Sequence, residues 1–269
     1  MKTAIIIPAR YGSTRLPGKP LAEIAGKTML TRMVELAQKA AQDDPSIHII
    51  VATDDERIKT HADEIGATAV MTPATCPTGT DRVAQAVKML NFTPDFVINL
   101  QGDAPLTPPR HVRALIDSFI SSPCDLVTPV IQLSWDELDR LRIQKQTTPF
   151  SGTTVAFKQE TGTALWFSKQ IIPAIRKEDK LRATEVLSPV WRHIGLYGYR
   201  TSMLEKFCTL PEGRFEALEG LEQLRMLENG FNVRCVPVSL DNRPSVSGID
   251  SPEDIARVEE ILATYGEAN

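Results

Sequence analysis

Short apolar strands and amphipathic helices alternate through the first 130 residues of the chain. We predict strands at 3–7, 48–53, 68–71, 96–100 and 125–130. Helices are predicted between them, around 30–37, at 55–65, at 81–90 and from about 109. Continuous apolar strands separated by helices are typical of a mostly parallel sheet covered on both faces. The predicted fold class is therefore α/β, with a Rossmann-like, three-layer, mostly parallel sheet.

The chain is less regular in its middle and regains the α/β pattern at its end. Residues 134–192 contain predicted strands at 153–158 and 164–168 and a charged loop at 176–187. Strand 194–199, helix 220–229, strand 231–239 and helix 252–264 follow. We expect Thr80 and Ser251 to be helix N-caps, because short polar side chains satisfy the first free N–H groups. We predict one domain over 1–269, in which about 134–200 form a small β-containing excursion.

Three loops leave the carboxyl ends of predicted parallel strands, at 8–20, 72–80 and 101–106. In open α/β sheets, ligands bind in the crevice outside these strand ends. We therefore expect the three loops to meet at one binding crevice.

Charge is distributed unevenly along the chain of 269 residues, whose formal net charge is −4. The first 22 residues carry no acid and four cations, which are Lys2, Arg10, Arg15 and Lys19. A local cationic patch in an acidic protein favours a small anionic ligand and does not indicate a general nucleic-acid surface. No apolar stretch approaches the ~20 residues that a membrane helix needs, so we predict no membrane partner.

The loop at 8–20 is a candidate phosphate site. Arginine can bind phosphate oxygens through two parallel hydrogen bonds, and lysine binds them as a point charge. The loop is not a P-loop, because five residues separate Gly12 from Gly18 and Pro20 stands where Ser or Thr would bind magnesium. The absence of the G-x-G and G-x-S-x-G patterns also excludes the usual dinucleotide fingerprint and hydrolase elbow.

Two aspartates are candidate metal ligands. Asp103 follows a predicted central strand and Gly102, which would let a ligand approach, and carboxylates are typical magnesium ligands. Asp250 precedes the last helix and is equally well explained as a turn residue.

Residues 77–82 form a small-residue turn into a helix and could hold a base or phosphate, or be a simple N-cap. His193 and Tyr197, four positions apart, are expected on one face of a single strand.

Eight segments along the chain form one recognisable set of motifs. In the N-terminal half these are residues 6–21, 51–54, 79–82 and 101–103, and in the C-terminal half residues 164–168, 193–199, 221–225 and 248–254. Through this set the chain resembles the 3-deoxy-manno-octulosonate (Kdo) cytidylyltransferase family over residues 3 to about 260. The resemblance implies the nucleotide-diphospho-sugar transferase type of fold and a cytoplasmic, magnesium-dependent homodimer. The implied activity is transfer of CMP from CTP to Kdo, which gives CMP-Kdo and pyrophosphate for lipopolysaccharide biosynthesis.

The resemblance also implies roles for individual residues. Those implied to bind CTP are Ala9, Arg10, Ser13, Arg15, Lys19, Thr78, Gly79, Arg82 and Gln101. Those implied to be catalytic are Arg10, Arg15, Lys19 and Asp103. Those implied to face the sugar are Gln101, Lys169, His193, Tyr197, Glu222 and Gln223. Magnesium would be held by Asp103 and Asp250, which must then converge.

The chain departs from the family pattern mainly in the half that faces the sugar. Ala104, Val155 and Lys169 stand where the family usually has Glu, Lys and Arg, and the loop at 176–190 is longer than expected. Transfer to 8-amino-Kdo is an alternative, since residues 214–219 resemble that subgroup at least as well. A sialic-type sugar acid is a second alternative. A nucleotide sensor without turnover is a third, which the presence of Lys19, Asp103 and Asp250 disfavours.

Overall fold

The computed structural model describes residues 1–12, 16–240, 244 and 248–267. The strands in this part of the chain are β1 Thr3–Ala9, β2 Glu23–Ile24, β3 Lys27–Thr28, β4 Ile47–Thr53, β5 Thr68–Met71, β6 Phe96–Asn99, β7 Leu126–Ser134, β8 Thr153–Phe157, β9 Ala164–Ser168, β10 Leu187–His193, β11 Tyr197–Arg200 and β12 Val233–Pro237. The helices are α1 Met29–Ala41, α2 Glu56–Glu64, α3 Gly79–Met89, α4 Pro109–Ser121, α5 Trp135–Thr147, α6 Glu178–Thr184, α7 Thr201–Phe207, α8 Arg214–Glu219, α9 Gln223–Glu228 and α10 Pro252–Tyr265.

The first compact unit comprises Met1–Pro123, Leu196–Cys208 and Leu240–Asn269. Its sheet has the order β5-β4-β1-β6-β11, in which the first four strands are parallel and β11 is antiparallel to β6. Strand β1 is central, and residues 4–7 are fully buried because every one of them is apolar. Helix α1 packs on α4 and α3 on α7, and each of these helices also contacts the sheet. The α/β fold class with a mostly parallel sheet is thus confirmed.

The second compact unit comprises Cys124–Gly195 and Thr209–Ser239. Strand β12 pairs in parallel with β7, while β7, β10, β8 and β9 form an antiparallel run in that order. Residues 209–239 belong to this unit, although the predicted excursion of about 134–200 leaves them out. The single domain over 1–269 remains a prediction.

Residues 134–192 are more regular than predicted. Helix α5 begins at a capping box in which Ser134 accepts from Glu137 N–H and Glu137 accepts from Ser134 N–H. The buried apolar residues of α5 are only Trp135, Leu138 and Leu141. Many charged residues lie between them, so the helical spacing of apolar residues is difficult to recognise in the sequence. The predicted charged loop at 176–187 contains helix α6, which ion pairs between Glu178 and the arginines Arg142 and Arg182 stabilise. These guanidinium groups lower the pKa of Glu178 to about 2.

Helix ends agree with the prediction in one case and differ in another. Ser251 caps α10 by accepting from Asp254 N–H, as predicted. Thr80 is not the N-cap of α3, because Thr78 accepts the hydrogen bond from Asp81 N–H and the helix begins two residues earlier than predicted. No helix within the described residues has the length and apolar character needed to span a bilayer.

Candidate active site

Lys19 lies at the centre of the candidate site in the first unit. Its ammonium donates to Asp103 Oδ2 at 2.9 Å, to the carbonyl of Ile249 at 2.7 Å and to Asp250 Oδ1 at 3.3 Å. The Lys19 side chain is largely buried and the two carboxylates are partly exposed. The predicted convergence of Asp103 and Asp250 is confirmed, and one ammonium neutralises part of their mutual repulsion.

Backbone contacts explain why these distant residues meet. The N–H of Ile249 donates to the carbonyl of Asp103 at 2.8 Å. A Cβ at Gly248 would lie 2.8 Å from Asp103 Cγ, so any other residue there would displace the carboxylate from its present position. Asp254 Oδ2 accepts from the N–H of Asp250 at 2.9 Å and thereby connects the segment to the first turn of α10.

Gly102 is required for packing within the site. A Cβ at this position would lie 2.5 Å from the carbonyl oxygen of Pro8, which is backbone of the neighbouring loop. The missing side chain therefore permits the loop after β6 to pack on the end of β1. Gly102 also lines the cleft, and the approach of a ligand to it stays a prediction.

The loop after β1 is held by its own contacts. Gly18 N–H donates to the carbonyl of Tyr11 at 2.9 Å, and Gly18 adopts φ +70°. The Arg57 guanidinium lies 3.3 Å from the centre of the Tyr11 ring, a cation–π contact that fixes the ring. Ser13 and Arg15, both predicted to bind CTP, lie outside the described residues.

The turn that begins α3 forms another wall of the site. Thr78 accepts from Asp81 N–H at 3.1 Å, and its hydroxyl donates to Asp81 Oδ2 at 2.6 Å. Thr80 is buried and accepts from Asn99 Nδ2 at 3.1 Å, which connects this turn to the end of β6. The backbone around Gly79 is thus fixed by the side-chain hydrogen bonds of Thr78 and Thr80 on either side of it.

Arg82 is a buried cation with protein partners. Its side chain is 3% exposed and donates to Thr72 Oγ1 at 2.6 Å and to Asp54 Oδ2 at 2.8 Å. No role for Asp54 or Thr72 is predicted from the sequence. The position of Asp54 directly after a predicted parallel strand could have indicated it.

These elements enclose a cleft of about 250 Å³. The lining residues are Pro8, Arg10, Lys19, Pro20, Cys76, Pro77, Thr78, Gly79, Arg82, Gln101, Gly102, Asp103 and Asp250. The three predicted loops after the parallel strands therefore do meet. Ala9 is not among the lining residues, because it is a buried residue of β1.

The residues predicted to face the sugar are divided between the two units. Tyr197 belongs to the first, where it begins β11 opposite Asn99 of β6. Lys169, His193, Glu222 and Gln223 belong to the second. The expectation that His193 and Tyr197 share one face of one strand is wrong. His193 ends β10 and Tyr197 begins β11, because the chain leaves one strand at 194–196 before entering the next.

His193 is held as a neutral side chain. Burial lowers its pKa to about 3, and the charge of Lys169 contributes in the same direction. Its Nε2 lies 2.8 Å from Thr128 Oγ1, and its ring meets the edge of Phe167 at 5.2 Å between centroids. Near neutral pH, His193 can therefore serve as a hydrogen-bonding group and not as a cation.

This shift predicts a pH dependence of folding stability. The pKa of His193 falls from the ordinary 6.5 to about 3 on folding, so the unfolded chain takes up the proton first as pH falls. The stabilisation is complete above pH 6.5 and is lost as pH falls towards 3. Between pH 7 and 4, wild type should lose about 3 kcal/mol of unfolding free energy relative to His193→Gln. Denaturant unfolding of both proteins measures this difference, and a constant difference would contradict the neutral state.

The candidate metal ligands fit magnesium by their chemistry. The Lys19 ammonium donates to three hard oxygen atoms, which belong to Asp103, Asp250 and the Ile249 carbonyl. Among the residues that the structure describes, no three His, Cys, Asp or Glu side chains group as a metal site. Magnesium is commonly held by one or two carboxylates together with substrate phosphates. The pair Asp103 and Asp250 meets that requirement.

Comparison with known proteins decides the family. The model of the Cytidylyltransferase family matches residues 4–238. A 3-deoxy-manno-octulosonate cytidylyltransferase of Maricaulis maris is 44% identical over 268 residues, which cover 99% of each chain. The chain belongs to the 3-deoxy-manno-octulosonate cytidylyltransferase family. This protein is thus a nucleotidyltransferase, and the resemblance drawn from its motifs is confirmed.

A further relative and two solved structures are also similar to this chain. A 3-deoxy-manno-octulosonate cytidylyltransferase of Vibrio parahaemolyticus is 35% identical over 265 residues, covering 98% of this chain and 99% of its own. The solved structure of a CMP:2-keto-3-deoxy-manno-octonic acid synthetase complexed with CTP superposes with a TM-score of 0.82 at 33% identity, covering 98% of this chain and 99% of that one. A cytidylyltransferase of Leptospira borgpetersenii, 19% identical with a TM-score of 0.60, shares the fold.

Proposed function

We propose that the protein transfers CMP from CTP to Kdo and releases pyrophosphate. The observation that carries this proposal is the cleft in which Lys19, Asp103 and Asp250 converge beside the turn at Thr78 and Gly79. A related synthetase with 33% sequence identity was solved in complex with CTP. The named relatives act on 3-deoxy-manno-octulosonate, which favours Kdo over 8-amino-Kdo or a sialic-type sugar.

The residues of the cleft match the electrostatic problem of this reaction. Both substrates are anions, so cations must offset the repulsion as the sugar approaches the triphosphate. Arg10 and Lys19 line the cleft, and Arg15 would add a third cation from the same loop. The anomeric hydroxyl oxygen forms a bond to the α-phosphorus as its proton is released to water, the bond from that phosphorus to the bridging oxygen breaks, and pyrophosphate leaves with that electron pair. No covalent enzyme intermediate is required.

Magnesium would be held by Asp103 and Asp250, with the Ile249 carbonyl beside them. It would supply positive charge next to the triphosphate when bound. The Lys19 ammonium would then be drawn towards the phosphates, which are stronger competitors for its hydrogen bonds than a carbonyl. We also propose a cytoplasmic homodimer that supplies lipopolysaccharide biosynthesis, as the family resemblance implies.

A parallel assay tests the proposed function. Pyrophosphate release is measured with CTP and magnesium while Kdo, 8-amino-Kdo and a sialic acid are offered separately. We expect the highest kcat/KM with Kdo. Release only with 8-amino-Kdo or a sialic acid would replace the sugar in the proposal. CTP binding without release from any sugar would favour the nucleotide sensor.

Arg15→Ala is expected to weaken CTP binding about tenfold or more, because a charge-assisted hydrogen bond contributes about 1.5–3 kcal/mol. Isothermal titration with CTP measures the change. Arg113→Ala is the matched control, since this arginine pairs with Asp117 on the exposed side of α4. An unchanged CTP affinity in Arg15→Ala would remove this residue from the site.

A further inference from the structure

Both backbone polar groups of Lys169 are held by charged side chains of the second unit. The N–H of Lys169 donates to Glu219 Oε2 at 2.7 Å, and its carbonyl accepts from Lys145 Nζ at 2.5 Å. Glu219 is the last residue of α8, and Lys145 lies near the end of α5. A carboxylate on the N–H and an ammonium on the carbonyl are stronger partners than backbone groups, so this backbone position is firmly fixed.

The Glu219 carboxylate also orders the residues on either side. Its Oε1 accepts from the buried Ser168 hydroxyl at 2.8 Å, and Ser168 Oγ accepts in turn from the N–H of Gln170 at 2.9 Å. One carboxylate thereby fixes the conformation of residues 168–170 at the end of β9. Gly220 follows Glu219 with φ +64° and turns the chain towards Glu222 and Gln223. Glu219 therefore connects the backbone of Lys169 to the segment that carries two further sugar-facing candidates.

Lys145 connects the same position to a second loop. Its ammonium donates to the carbonyls of Ser151 at 2.5 Å and Gly152 at 3.0 Å, in addition to that of Lys169. Burial lowers the pKa of Lys145, and the charges of Lys169 and Arg192 lower it further. A cation placed among other cations is unfavourable for folding alone. The charge of Glu219 and the three backbone carbonyls offset part of this cost.

We propose that Lys145 and Glu219 are positioning residues for sugar recognition, fixing the backbone of 168–170 so that Lys169 meets the carboxylate of the sugar acid. This inference rests on the proposed function. Neither residue needs to touch the substrate, because each acts through Lys169. A preformed cation site binds an anion more tightly than a mobile one, since less side-chain and loop ordering is lost on binding.

The test measures kcat and both KM values in Glu219→Gln and Lys145→Met. We expect the KM for Kdo to rise about tenfold or more, with the KM for CTP unchanged within about twofold. Lys145→Arg, which can reach the same carbonyls, is expected to restore most of the Kdo affinity. Glu160→Gln and Lys180→Met are matched controls, because both side chains are exposed in the same unit.

The pH profile supplies a readout that a purely structural role would not change. The charge of Glu219 raises the pKa of Lys169, while burial lowers it more strongly. The other charged or titratable groups that interact electrostatically with Lys169 or Lys145 are Arg192 and His193, both from β10. Removing the Glu219 charge should lower the pKa of Lys169. The rise of the Kdo KM with pH should therefore begin at lower pH in Glu219→Gln than in wild type.

The outcomes separate this inference from the proposed function. Failure of the wild-type protein to use Kdo would overturn the proposed function. Turnover of Kdo by wild type with an unchanged Kdo KM in both variants would overturn the inference alone. So would equal losses for CTP and Kdo, because they indicate a general structural defect. If Glu219→Gln does not fold, the inference is tested by comparing Lys145→Met with Lys145→Arg. Equal Kdo KM values in these two variants would overturn it.

Discussion

Replacing Asp103 with Asn is expected to lower kcat by at least ~100-fold while the protein remains folded. Asp103 accepts from the Lys19 ammonium at 2.9 Å and shares that cation with Asp250. Asparagine keeps the shape of the side chain but removes the negative charge. The site then loses one of the two carboxylates that would hold magnesium beside the triphosphate, and the Lys19 ammonium loses its closer carboxylate partner.

The fall should be in kcat, because the proposed role of Asp103 is to stabilise charge that develops during transfer. Circular dichroism and CTP titration show whether the variant is folded and binds nucleotide. Asp117→Asn is the matched control, since that carboxylate pairs with Arg113 on an exposed helix surface. A kcat near that of wild type in Asp103→Asn would exclude the metal assignment.

Replacing Asp54 with Asn is expected to lower the free energy of unfolding by about 3 kcal/mol. The Arg82 side chain is 3% exposed, so its charge is nearly removed from water. Asp54 is the carboxylate that compensates this charge, and Thr72 supplies only a neutral hydroxyl. Loss of the carboxylate leaves an uncompensated cation inside the protein. Removing one partner of a buried ion pair usually lowers the free energy of unfolding by about 3–5 kcal/mol. We expect the lower end of this range, because Asp54 itself is 18% exposed.

Denaturant unfolding of Asp54→Asn beside Asp63→Asn measures this effect. Asp63 pairs with Lys59 one turn away on the surface of α2, and such pairs contribute about 0.3–0.5 kcal/mol. The two substitutions are chemically identical. The large difference expected between their losses of unfolding free energy therefore arises only from burial of the partner cation. Equal effects would contradict the account of Arg82 as a buried cation that orders the cleft.

The sequence was sufficient for those parts of the fold in which local pattern and tertiary structure agree. Strand β5 and strand β9 have the predicted bounds, and β1 extends the predicted strand to Ala9. In β1 the residues are apolar or β-branched and nearly all buried, so the local preference and the buried position coincide. The meeting of Lys19 and Asp103 followed from a general rule on where the loops of a parallel sheet lie, whereas the place of Asp250 beside them was implied only by the family resemblance.

The remaining features depend on contacts that no local pattern contains. Helix α6 is stabilised by ion pairs with Arg142 of another helix, so its charged sequence alone predicts a loop. The need for glycine at Gly102 comes from the carbonyl of Pro8, far away in the chain. Glu219 is one of many surface-type acids in the sequence, and only its hydrogen bonds to Ser168 and Lys169 distinguish it.

The most direct measurement follows the oxygen that is proposed to attack CTP. Kdo labelled with ¹⁸O at the anomeric hydroxyl is incubated with CTP and magnesium, and the products are analysed by ³¹P NMR. We expect CMP-Kdo with the label in the oxygen that bridges sugar and phosphorus, together with an equal amount of unlabelled pyrophosphate. Product without label in the bridge, or no product from Kdo, would contradict it.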